Sequence, residues 1–217
     1  MTTMLSAGSW SAALLLGLAA LGCTPGGVGD PCTPEDEYQQ NFNGFQVTET
    51  NVESRSFQCE TRLCLVNHFQ GRVSCRLGQP APPLDDMGRP IAGADYHPSC
   101  SIPGTAVSTD ANSPDNINVE VKPQLKDRQT DKAVYCSCRC DGPDKNARYC
   151  ECPEGFQCEL LVKDLKITLG ASNLAGSYCI RSGSRYNPAA SDVDTCLDDP
   201  AACGCGGANP PAECGKR

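Results

Sequence analysis

The sequence predicts a small disulfide-rich fold, mostly β and irregular, made of several short stapled hairpin modules with little hydrophobic core. Three observations carry that prediction. The chain holds 17 cysteines in 217 residues. Beyond residue 22, Leu, Ile, Val and Phe make up roughly a sixth of the residues, below the ~20% at which disorder becomes the default. Gly and Pro are abundant, at 21 and 17, while aromatics are only 6%. Such a chain cannot bury enough apolar surface to offset the entropy lost on ordering its backbone. Disulfides shift that balance by restricting the unfolded state, each contributing about 2–4 kcal/mol. They also place the folded chain in an oxidising compartment.

Residues 1–22 read as an export leader. Its apolar run, Ala12 to Gly22, is well short of the ~20 residues a membrane-spanning helix needs. The run ends at Cys23, the first of the 17 cysteines, and the remaining cysteines form an even set. An odd cysteine in an exported chain calls for its own explanation. The stretch Ala20-Leu21-Gly22-Cys23 resembles the lipobox of bacterial lipoproteins. The resemblance implies a diacylglycerol thioether on Cys23, cleavage just before it and acylation of the new amine. Thr24, where an inner-membrane lipoprotein commonly has Asp, implies the outer membrane. Residues 23–31 then form a lipidated tether. Ala20 and Gly22 also fit the small-residue rule of an ordinary secretory leader, which would leave Cys23 a free or intermolecular thiol.

The other cysteines fall into three groups with even counts. Cys32, Cys59, Cys64 and Cys75 mark a first module over residues 32–78. A Pro-rich linker, 79–99, separates it from a central β module over 100–182, which holds Cys100, Cys136, Cys138, Cys140, Cys150, Cys152, Cys158 and Cys179. Cys196, Cys203, Cys205 and Cys214 belong to an acidic C-terminal module over 183–217. Even counts permit self-contained modules, but the pairing is open: three ways for each group of four cysteines and 105 for the group of eight.

In the first module, Cys64-Leu-Val runs into a turn at Asn67 to Gly71, and Arg72 to Cys75 runs out. His68, Phe69 and Arg72 fall near the tip. An aromatic beside an Arg is a common interface anchor, so these are the partner-binding candidates. The alternative is that Phe69 packs on the small core and His68 is solvated. Gly29 to Gly78, with this block and its cysteine spacing, resembles cysteine-rich lipoproteins that recur in myxobacteria. That group includes envelope proteins of largely unassigned function, some of them tied to gliding motility, so the resemblance implies an envelope protein.

In the central module, Asn118 to Lys122 alternates like a strand. Ala133 to Cys140 follows, and a strand there would put Cys136, Cys138 and Cys140 on one face. Tyr149 to Cys158 resembles the end of an EGF-like repeat, although Cys158 comes too soon after Phe156. The expected physics is that of small stapled hairpins, not of an EGF domain. Leu160 to Leu169 and Gly176 to Ile180 read as two further strands, clasped through Cys158 and Cys179. Leu161, Leu165 and Leu169 also fit a helical spacing.

The chemistry these residues exclude is as informative. Paired Cys-x-x-Cys zinc spacing is absent, and neither His68 nor His97 adjoins a cysteine cluster. Asp192, Asp194, Asp198 and Asp199 could gather a weak hard cation, but a solvated acidic hinge is the expectation, with no metal and no cofactor. Asp192 to Cys196 resembles the opening of a calcium-binding EGF repeat, with Thr195 in place of an acid or amide and too little chain following. No Gly-x-Ser-x-Gly elbow, His-Glu-x-x-His run or Walker loop is present, so no enzyme is expected. The net charge of −8 and the lack of a basic tract with interleaved aromatics argue against nucleic acid. Lys122, Lys126, Arg128 and Lys132 could face an acidic polysaccharide or partner. The sequence thus leads to a lipid-anchored outer-membrane or cell-surface protein, a binding or structural component of an envelope assembly. The alternative is a secreted disulfide-rich inhibitor or regulator of a protease or receptor.

Overall fold

The computed structural model describes residues 25–88, 91, 96–110, 113–163, 174–188 and 194–215. Residues 1–22, which read as a leader in sequence, Cys23, Thr24, Leu165, Leu169 and Asp192 lie outside the described residues. The fold is small, mostly strand and irregular, with two three-stranded antiparallel sheets and eight disulfides, as composition predicts.

The first sheet joins β1 (Thr50–Glu53), β2 (Leu63–Asn67) and β3 (Val134–Ser137) in the order β1-β2-β3. β2 is central and its Leu-Cys-Leu-Val run is apolar throughout, as a strand covered on both faces must be. Alternation then sends its side chains to two cores. Cys64 and Val66, with Val134 and Cys136 of β3, pack against Phe45, Phe69 and Cys32. Leu65, with Tyr135 of β3, packs on the other side against Ile180. The second sheet, ordered β4-β6-β5, contains β4 (Arg139–Asp141), β5 (Phe156–Val162) and β6 (Gly176–Arg181). Tyr135 ties the two sheets together. Its ring meets Phe156 edge-on at 5.7 Å, and its hydroxyl accepts from the Arg181 amide at 3.0 Å.

Several expected elements change. The β5–β6 hairpin forms with Cys158 opposite Cys179. These two are not bonded to each other: the bridges are Cys140–Cys158 and Cys152–Cys179. Leu161 belongs to a strand, not a helix. The strand expected over 133–140 breaks after Ser137, whose hydroxyl donates to the Cys179 carbonyl at 2.8 Å. Cys136 therefore belongs to one sheet and Cys140 to the other. Asn118 to Lys122 makes a single bridge, Val121 to Gln79, and no strand. Nor does Arg72 to Cys75 return beside β2, whose two edges are already taken by β1 and β3.

The boundary between the first and central modules also dissolves. Cys32–Cys64 stays within the first group, but Cys59–Cys136 and Cys75–Cys100 cross into the second. β2 and β3 share a sheet across that boundary. Gln79, at the start of the expected linker, is buried, and its side-chain amide donates to the Ile117 and Val119 carbonyls at 2.8 Å each. The C-terminal group keeps its own bridges, Cys196–Cys203 and Cys205–Cys214, and seats on Leu77. The Cys196 amide donates to Gln124 O at 2.8 Å, and Arg76 donates to Cys203 O at 2.9 Å.

Candidate functional site

Elimination defines the first site. The eight disulfides consume sixteen cysteines, every one among the described residues, out of 17 in the chain. Cys23 is the one left over. Its own surroundings lie outside the described residues, but the chain just after it does not. Gly26 sits in a parallel bridge with Cys59, its amide donating to Gln58 O at 2.7 Å and its carbonyl accepting from the Glu60 amide at 2.9 Å. Gly29 and Asp30 exchange hydrogen bonds with Cys136, each 2.8 Å. Residues 26–31, expected as part of a tether, are therefore part of the folded body.

The expected partner-binding tip is not a tip. Phe69 and Arg72 are fully buried. Phe69 packs beside Phe45 with ring centroids 6.4 Å apart. Arg72 runs inward to the turn at Glu35–Tyr38. It donates to Gln39 O at 3.1 Å, to Phe42 O at 2.6 Å and to Glu37 O, and its Nε lies 3.4 Å from the Glu37 carboxylate. Glu37 is equally buried and accepts from the Val73 amide at 2.8 Å and the Ser74 hydroxyl at 3.0 Å. Burial pushes the Glu37 carboxyl up and the Arg72 guanidinium down, while their mutual attraction opposes both shifts. Glu37, absent from the sequence reading, is thus a structural centre.

His68 is half-buried, at a left-handed φ of 52°. Its ring stacks on Tyr186 at 4.4 Å, and Nδ1 lies 2.9 Å from Val47 O. Arg128 brackets the corner, donating to the carbonyls of His68, Asn67 (2.7 Å) and Ser184 (2.9 Å). Burial, reinforced by the Arg128 charge, lowers the His68 pKa. The unfolded chain therefore takes up the proton first as pH falls through the ordinary imidazole range near ~6.5. Stability from this group is complete above that range and is lost as pH falls toward the folded value. The melting temperature should drop on acidification in this window, and the drop should be smaller in His68→Asn, which tolerates the same φ.

The acidic cluster already holds a cation of the chain's own. Lys126 Nζ lies 3.6 Å from Asp194 and 3.5 Å from Asp199. Asp198 accepts from the Thr195 hydroxyl at 2.7 Å and amide at 3.0 Å, and these bonds hold its carboxyl below the usual range. Sulfur clusters with metal-ligand proximity, such as Cys138, Cys150 and Cys179, consist of disulfide sulfurs. Their Sγ atoms lie 3.6 and 3.7 Å apart across two bridges, so stacked disulfides fill space that apolar side chains fill elsewhere. Each is bonded to sulfur and offers no thiolate to a metal. An open cleft of about 950 Å³ runs along the C-terminal group between Leu77, Thr105, Asp199 and Pro210.

Among the described residues, no helix is long and apolar enough to cross a membrane. No family model matches the chain, and neither a curated protein nor a solved structure matches it.

Proposed function

We propose that the chain is a lipid-anchored protein of the bacterial outer membrane or cell surface, held through Cys23. In this reading its body is a non-catalytic binding or structural component of an envelope assembly, serving adhesion or gliding motility. The observation that carries the proposal is the cysteine count. Sixteen thiols are spent in eight bridges, and the remaining one follows the apolar leader at the lipobox-like position. One acyl chain binds a bilayer only marginally, at ~0.8 kcal/mol per methylene, but several chains hold stably. A body braced by disulfides suits exposure outside the cytosol, where stability cannot come from a large core.

The test is an intact mass on protein from native membranes, alkylated without reduction, beside a Cys23→Ser variant. Wild-type protein should begin at Cys23, carry acyl mass and no alkylated thiol, and stay with membranes through a salt wash. Cys23→Ser should leave the membrane fraction. A wild-type chain with one alkylated thiol and no acyl mass would overturn the anchor and favour a secreted inhibitor.

A further inference from the structure

The turn that receives the N-terminal chain carries an exposed aromatic with an arginine stacked on it. Phe57 is 77% exposed, and the Arg62 guanidinium lies 3.9 Å over its ring. The turn is rigid. The Ser56 amide donates to Arg62 O at 3.1 Å, the Arg62 amide donates to Cys59 O at 2.9 Å, and Cys59 is bonded to Cys136. Arg62 holds a left-handed φ of 65°, an uncommon conformation for a residue with a side chain. Gln58 is fixed from the other side by reciprocal bonds with Thr33, 3.0 and 2.8 Å.

The same turn receives the N-terminal chain. Gly26 is bonded to Gln58 and Glu60, and it follows Cys23 by only three residues. Three extended residues span at most about 10 Å. A lipid on Cys23 holds that residue at the headgroup level, so the turn at 56–62 must lie within about that distance of the bilayer. Phe57 has the chemistry of the acyl boundary, and a guanidinium stacked on it has that of the phosphate layer. Exposed Arg55 and Arg62 are matched by exposed Glu60 and Asp30, so the face has no net electrostatic pull and Phe57 supplies the contact.

We infer that the 56–62 turn is a membrane-contacting face, with Phe57 inserted at the lipid boundary and Arg62 at the phosphates, fixing the orientation of the body on the bilayer. This rests on the lipid anchor proposed above. The chain's single Trp, Trp10, lies in the leader, so the mature protein has none and a Phe57→Trp variant is a single-Trp reporter. Full-length lipidated protein would be reconstituted into phosphatidylethanolamine–phosphatidylglycerol vesicles, with and without bromine on the upper acyl chains. Insertion to ~5–10 Å predicts about a twofold loss of emission on brominated lipid. A second variant, Leu197→Trp on the C-terminal group, reports an unoriented body and should be quenched much less. Protein that floats with vesicles but shows no quenching of Phe57→Trp, or equal quenching at both positions, overturns this face and leaves the anchor standing. Protein that neither floats nor carries acyl mass overturns both.

Discussion

Arg72→Met is expected to destabilise the folded chain by about 3–5 kcal/mol, because it leaves the Glu37 carboxylate buried without its countercharge. The side chains of both residues are wholly buried. Arg72 is also the donor for three carbonyls of the 37–42 segment, at Glu37, Gln39 and Phe42. Met matches its volume but offers none of those donors, so buried acceptors are orphaned as well. Against a typical domain stability of about 5–15 kcal/mol, this is a large fraction. Chemical denaturation with the disulfides intact would show it as a lowered midpoint. Adding Glu37→Leu to the Met variant should restore part of the loss, since the unpaired charge is then gone, whereas the lost carbonyl contacts remain. A single-variant loss below about 1 kcal/mol would place the pair among weakly coupled ones, contrary to its burial.

That ion pair also shows where the sequence stops being legible. The fold class is a matter of composition: many cysteines, few aliphatics and frequent Gly and Pro leave little other than a stapled β and irregular body. β2 and β6 were legible because their apolar runs are local signals, whereas β5 (Phe156–Val162) starts four residues ahead of the expected strand at Leu160 to Leu169, of which residues 164–169 lie outside the described residues. Arg72 was not legible. Arginine is usually exposed, and an Arg near a Phe reads as a surface anchor. Its burial depends on Glu37, 35 residues upstream, in a segment with no pattern pointing at it. The bridges fail to be legible for the same reason. Grouping cysteines by the gaps between them follows the chain, whereas Cys59 finds Cys136 because β2 pairs with β3, a tertiary event. The alternation in Asn118 to Lys122 is genuine, but a strand needs a neighbour, and only Gln79 is supplied. Gly26 carries no signal at all, since a Gly beside a Gly reads as slack, yet here it is bonded on both sides.

Replacing Cys59 and Cys136 together by Ala is expected to cost about 4 kcal/mol, the most of any single bridge. The two residues are 77 apart, the longest separation in the chain, and even with the Cys75–Cys100 shortcut the closed loop remains long. Removing Cys196–Cys203, only 7 residues apart, should cost about 2–3 kcal/mol on the same chain-entropy reasoning. The ordering of the two double variants is therefore the test, and equal losses would show that something other than loop closure governs these bridges. The location of the damage is a second, independent readout. β2 and β3 keep their ladder, with Cys64 opposite position 136, so their amides should stay protected from exchange. The 56–62 turn has no strand to hold it. It depends on Cys59 and on its bonds to Gly26 and Thr33, so the amides of Gly26, Glu60 and Arg62 should lose protection first. If the turn orients the body on a membrane, the same double variant, carrying Phe57→Trp, should keep its anchor but lose the difference in quenching between Phe57→Trp and Leu197→Trp. The bridge would then serve two ends through one mechanism, restricting the unfolded chain and holding rigid the short stretch that faces the lipid.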